Sequence, residues 1–122
     1  GYVPDLSTYI HAADVAILPV HVTILGVSSR VVLCLACGLP VVTSKYTLLG
    51  SPYLAGHRCV IVANSPEEIM EAVVKLIRMG PSEREALREE ARDIARKYFS
   101  PREVARKLEA LYTSILASRG KR

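Results

Sequence analysis

The sequence contains no glutamine and a single asparagine, Asn64. Arginine, glutamate and lysine are plentiful instead, a usage that points to a thermophilic source. No apolar run reaches membrane-spanning length, and nothing resembles a signal peptide. The expectation is a chain without a transmembrane segment that works in the cytoplasm, at most held peripherally at the inner membrane surface. Cysteine is scarce: Cys34, Cys37 and Cys59 are too few for a disulfide framework. Cys34 and Cys37 formally match C-x-x-C, but they sit late in an apolar helical stretch. Redox pairs sit at exposed helix starts, so these two read as small core residues. His11, His21 and His57 form no spaced cluster with the cysteines, and no metal site is expected. A full G-x-G-x-x-G or Walker motif is missing, as are internal repeats and low-complexity segments.

What is present is a soluble globular composition, with 122 residues of which 50% are hydrophobic and 23% charged. That is enough for one domain, residues 1–122, with a modest core. The formal charge is +4. Such a balance is compatible with a phosphate-bearing or nucleic-acid ligand. Much of the excess lies at Arg119, Lys121 and Arg122, however, so it reads as a solvated tail. No nucleic-acid partner is expected.

The organising stretch is Gly26 to Ser44: a glycine turn, a helix, a second glycine turn and a buried strand. The apolar run Val15 to Leu18 precedes it. Together they make the strand–helix–strand unit of a parallel α/β sheet. Asp5 to Ala13 reads as a short helix capped by Asp5, with Leu6, Tyr9, Ile10 and Ala13 on one face. Val15 to Leu18 reads as a strand buried on both faces. A helix follows from about Val27 to Cys37, closed by Gly38 as a left-handed cap with Pro40 just beyond. Strands are expected over Pro40–Thr43 and Cys59–Ala63, with Tyr46–Gly56 a loop containing at most one turn at Pro52–Ala55.

Three helix starts come next, each placing serine three residues before glutamate: Ser65/Glu68, Ser82/Glu85 and Ser100/Glu103. That spacing is the capping box. The helix Pro66–Met79 is expected to bury Ile69, Val73, Leu76 and Ile77. The helix over 83–98 carries a thin stripe of Leu87, Ala91, Ile94 and Tyr98. Its other faces hold the pairs Glu85/Arg88, Glu89/Arg92 and Asp93/Lys97, so it is largely exposed. The helix over 101–118 is expected to bury Val104, Leu108, Leu111 and Ile115 as a strap across another surface. The fold class is thus α/β, a three-layer Rossmann-like parallel sheet of three strands and about five helices.

In such sheets ligands bind beyond the carboxyl ends of the strands, near helix N-termini. Gly26 permits close backbone approach, and the N–H groups of Val27, Ser28 and Ser29 open a helix whose dipole favours anions. Arg30 lies one turn along. A phosphate or diphosphate fits this pattern; so does an ordinary strand-to-helix loop.

The order of motifs resembles the C-terminal, donor-binding domain of GT-B glycosyltransferases, in particular the retaining family four. Gly1-Tyr2-Val3, Asp5-Leu6, Tyr9-Ile10 and Ala12-Ala13-Asp14-Val15 look like its opening segment. Leu18-Pro19 looks like its "l-P-S", and Ala36-Cys37-Gly38-Leu39-Pro40-Val41-Val42 like its "A-C-G-x-P-V-V". Glu67-Glu68-Ile69 with Ala72, and Tyr98-Phe99-Ser100, look like two later segments. The resemblance spans almost the whole chain and implies a nucleoside-diphosphate sugar as donor substrate, without cofactor or metal. It implies donor-phosphate binding by the backbone at Gly26, Val27 and Ser28. It also implies two glutamates that contact the sugar and the ribose, at positions held here by Leu25 and Leu33. Leucine cannot accept a hydrogen bond from a ribose hydroxyl.

The resemblance further implies that the first half of the domain, with its diphosphate-neutralising Arg and Lys, lies outside these residues. So does the acceptor domain with its catalytic histidine. This chain alone is then expected to be inactive and to hold the later half of the domain. The alternative is a degenerate, non-catalytic binding or assembly module. In either case strand Val15–Leu18 exposes an edge, expected to meet the missing half or a second copy of the chain.

Overall fold

The turn at Cys37–Gly38 converts helix into strand and sets the direction of the sheet. Gly38 has φ +76°, a left-handed conformation that glycine adopts without strain. The N–H of Gly38 donates to the Leu35 carbonyl and that of Leu39 to the Cys34 carbonyl, both at 2.9 Å. These two bonds are a Schellman cap, which satisfies carbonyls the helix would otherwise leave open. Pro40 then commits the chain to extended backbone.

The computed structural model describes residues 1–22 and 28–120. In chain order the elements are α1 (Leu6–Ala12), β1 (Ala16–Leu18), α2 (Ser29–Ala36), β2 (Val41–Thr43), α3 (Lys45–Gly50), β3 (Val60–Val62), α4 (Pro66–Arg78), α5 (Pro81–Ile94) and α6 (Pro101–Arg119). A 3-10 turn spans Pro52–Leu54, and a π-turn, Ala95–Phe99, joins α5 to α6. The strands form one sheet in the order β1-β2-β3, all parallel. Rows of paired residues cross it: Ala16–Val41–Val60, Ile17–Val42–Ile61 and Leu18–Thr43–Val62.

Successive side chains of a strand point to opposite faces. Val41, Val42 and Thr43 are nonetheless all buried, so β2 is covered on both sides, and α2 and α4 both pack against it. This is the three-layer α/β arrangement. The core adds Val31 and Leu35 from α2, Leu54 from the 3-10 turn, Ala72 and Leu76 from α4, and Leu87, Ala91 and Ile94 from α5. Leu35 and Leu54 are fully buried, each contributing about 1.5–3 kcal/mol relative to exposure.

Several expectations are corrected. β1 is not buried on both faces: Ile17 is 45% exposed, because β1 is an edge strand and only Ala16 lies deep. Lys45–Gly50 is a helix rather than loop. It is six residues long, too short to show a periodic stripe, and no side chain caps it. α5 starts at Pro81 with Gly80 as its N-cap, so Ser82 is inside the first turn and caps nothing. Proline's fixed φ sets that start ahead of the one the serine would set. The other two serines cap as expected: Ser65 accepts from the Glu68 N–H and Ser100 from the Glu103 N–H, each at 3.2 Å. On α4, Ala72 and Leu76 form the buried line, while Ile69 and Val73 are half-buried and Ile77 faces out at 56% exposure.

The largest departure is α6, in which no residue is buried. Val104, Leu108, Leu111 and Ile115 are all exposed, because the helix packs on the π-turn and then leaves the body. Tyr53, Tyr98 and Phe99 cluster at that turn, with ring centroids 5.3–6.3 Å apart.

Candidate functional site

All three strands run the same way, so Leu18, Thr43 and Val62 end at one edge of the sheet. The segments that leave the strands therefore come together there. Pro19, Val20 and His21 after β1, Ser44, Lys45 and Tyr46 after β2, and Ala63, Asn64, Ser65 and Pro66 after β3 line a crevice of about 420 Å³, with Ile69 beside them. This is the position where open α/β sheets bind ligands.

Side chains tie the three strand ends together. The Thr43 hydroxyl donates to the Leu18 carbonyl at 2.9 Å, and so accepts from the Thr47 hydroxyl at 2.7 Å. Ser44 donates to the Val20 carbonyl. The Lys45 N–H donates to Asn64 Oδ1 at 2.9 Å, and the Asn64 N–H donates to Glu68 Oε2 at 2.6 Å. Each of these bonds crosses from one segment to another or pins a turn. The crevice wall is thus held by a chain of bonds rather than by loop packing alone, a form of pre-organisation. Asn64, the only asparagine, sits at its centre, where its side chain accepts from the segment after β2 while its backbone donates to Glu68 in the first turn of α4.

The residues singled out in the sequence fall in several places. Leu25, Gly26 and Val27 lie outside the described residues. Ser28 is the N-cap of α2, with no side-chain capping bond, and Ser29 and Arg30 are exposed in the first turn. α2 returns directly to the start of β2 through Cys37–Pro40, so it runs antiparallel to the strands. Its N-terminus thereby points to the same sheet edge as the crevice, although Ser28, Ser29 and Arg30 do not line it. Leu33 lies on the outer side of α2 at 37% exposure. A charged group there would not enter the core.

Sequence reasoning missed Ser44, Lys45, Tyr46 and Asn64. The available signal is positional: these residues directly follow expected strands of a parallel sheet. His21 enters the sequence reading only as one of three histidines that form no cluster with the cysteines. Among the described residues no trio of His, Cys, Asp or Glu side chains is grouped as metal ligands would be. Cys34 is buried, and burial, with Cys37 beside it, pushes its thiol up from the ordinary range. Cys59 is pushed up to about 12, mainly by burial and secondarily by the Glu90 carboxylate. Cys34 is a core thiol as expected, whereas Cys37, expected in the core with it, is only partly buried at the end of α2; Cys59 also lies in the core. No helix among the described residues is long and apolar enough to cross a membrane.

Comparisons with curated proteins and with solved structures return no match. The sequence model of the family described as "Glycosyl transferases group 1" matches residues 1–79, from ahead of α1 through the end of α4. The match takes in every strand, the crevice and the Gly38 turn, and covers more than half of the 122 residues. With that match over the whole of the sheet, the chain belongs to the group 1 glycosyl transferases.

Proposed function

We propose that this chain is the donor-binding portion of a GT-B glycosyltransferase, taking a nucleoside-diphosphate sugar at the carboxyl edge of its sheet. One observation carries the reading: in a chain of this family, all three strand ends converge on a crevice with a fixed polar wall. The donor lies along that edge, with its diphosphate between the crevice and the start of α2, where Ser28–Arg30 open the helix. The chain supplies binding and orientation, and transfer to an acceptor needs groups that it does not provide. No metal takes part in holding the donor. Isothermal calorimetry with a panel of nucleoside-diphosphate sugars tests this. Micromolar-to-millimolar binding of one of them supports the reading; heats indistinguishable from dilution across the panel defeat it.

One observation favours a second reading, a binding or assembly module that keeps the fold without the chemistry. Leu33 faces outward from α2 where the family resemblance implies a glutamate for the ribose. A leucine there offers no acceptor. The same calorimetry separates the two, since a degenerate module binds no donor.

The assembly follows from the sheet edge. The Ala16 N–H donates to the Pro40 carbonyl, so alternate residues of β1 face β2 and the backbone of Ile17 faces away. Among the described residues that edge is unpaired, and β1 carries no lysine or proline to discourage pairing. It takes a further strand, either from more of the same domain or from a second copy. Light scattering at low micromolar concentration distinguishes a dimer from a monomer. A monomer whose Ile17 amide exchanges within seconds shows the edge to be left open.

A further inference from the structure

We infer that Lys45 is the cation that meets the diphosphate of the ligand in the crevice, an inference that rests on the donor-binding reading above. The crevice lining contains no carboxylate; its ionisable members are Lys45, His21 and Tyr46. The hollows elsewhere differ. The one beside His57 sets Lys97 among Glu89, Glu90 and Asp93, and the one on α4 sets Lys75 and Arg78 between Glu71 and Glu83. In the one beside α2, Arg92 and Arg96 are consumed by Glu85, Glu89 and Asp93. Lys45 has no acidic partner within 4.0 Å among the described residues, and its ammonium rests 5.5 Å from the centre of the Tyr46 ring.

Its backbone is fixed while its side chain is free. The Lys45 N–H is held by Asn64, and Asn64 in turn engages the Glu68 carboxylate, which is thereby turned to the backbone. A lysine root anchored at a sheet edge with an exposed ammonium, in a hollow without negative charge, suits an anion of two or more charges. An uncharged ligand would gain nothing from it. The aromatic ring of Tyr46 beside it and the apolar wall of Pro19, Pro66 and Ile69 complete a site with one charged end and one apolar side. A nucleoside diphosphate has that polarity.

Calorimetry on wild-type chain, Lys45→Ala, Lys45→Arg and the remote control Lys75→Ala tests the assignment, using nucleoside diphosphates, the parent nucleosides and inorganic pyrophosphate as probes. Lys45 is exposed, so the variants should fold as the wild type does, which melting curves check. Lys45→Ala should weaken nucleoside-diphosphate and pyrophosphate binding about tenfold or more. It should leave binding of the unphosphorylated nucleoside unchanged and flatten the salt dependence. Lys45→Arg should stay within about threefold of the wild type, and Lys75→Ala should match it. Unchanged diphosphate affinity in Lys45→Ala overturns the inference and leaves the donor-binding reading standing. Binding of pyrophosphate but of no nucleotide keeps Lys45 and overturns that reading. A wild-type chain that binds neither overturns both.

Discussion

Gly38 lies against Arg92: a Cβ on Gly38 would sit 2.5 Å from Arg92 Nη1 and 3.4 Å from the Arg88 carbonyl. Arg92 is in turn held by Glu85 and Glu89, at 2.7 and 2.8 Å. The glycine therefore meets two demands at once, a left-handed turn and close approach of α5. Gly38→Ala should destabilise the fold by about 1–3 kcal/mol, from the left-handed strain and the displacement of Arg92. Urea denaturation reads this as a lowered midpoint. Arg92→Ala in the Gly38→Ala background should recover the steric part. A single variant as stable as the wild type would mean that the turn is not under constraint.

Leu33→Glu should strengthen nucleotide-sugar binding by about 1.5–3 kcal/mol, the range for a hydrogen bond to a charged group. The position is 37% exposed, so the carboxylate stays solvated and the fold should survive. Calorimetry and a melting curve are read together. Unchanged affinity in a folded variant would contradict the role inferred for this position.

Acid should loosen the helices at their ion-paired and capping carboxylates before the core. The hydrogen bond from Arg106 holds the Glu103 carboxyl below the usual range, Arg92 does the same for Glu89, and the Thr8 hydroxyl for Asp5. A carboxylate with a depressed folded pKa stabilises above its unfolded pKa. That contribution is lost as pH falls through the carboxylate range. Helical circular dichroism should therefore decline on acidification below about pH 4.5. Salt should blunt the effect, because these groups are solvent-exposed. Helicity that rises on acidification would mean that these carboxylates do not stabilise the helices.

Burial orders the thiols. Cys59 is fully buried with its thiol pushed up to about 12, and Cys34 is also buried, whereas Cys37 is partly exposed. Alkylation at neutral pH followed by mass spectrometry should modify Cys37 first, with Cys59 protected until unfolding. A raised folded pKa also means that Cys59 stabilises below its unfolded value near 9. That stability fades as pH climbs from there toward the folded value. Rapid native labelling of Cys59 would show its surroundings to be open.

The contrast between α2 and α6 separates core from periphery. Leu35→Ala should cost about 2–5 kcal/mol, since Leu35 is fully buried. Leu108→Ser or Leu111→Ser should stay within about 0.5 kcal/mol in this chain, because both side chains are already in solvent. A large loss from either serine variant would show that α6 docks on the body in solution.

The strands, the Gly38 cap and two of the serine caps were legible because each rests on local chemistry: an apolar run, a glycine before Pro40, a serine three residues before glutamate. The exposure of α6 was not legible. Its 3.6-residue stripe reports that Val104, Leu108, Leu111 and Ile115 share a face, not that anything covers them. Likewise the strand Val15–Leu18 reads as buried by composition, while Ile17 is exposed because it lies at an edge, a property of strand order. The crevice was half legible. The sheet edge followed from the parallel topology, but Lys45 and Asn64 meet only because β2 and β3 are neighbours, which no local pattern states.

Donor binding at the carboxyl edge of the sheet is tested most directly by amide-resolved NMR of the chain. The titrants are a nucleoside-diphosphate sugar and its parent nucleoside diphosphate. Saturable shifts are predicted at Val20, His21, Ser44, Lys45, Tyr46 and Asn64, and at Ser28–Arg30, with α6 unaffected. Shifts confined to the basic residues of α6 and the C-terminus, or no saturable shifts at all, would contradict donor binding at this edge.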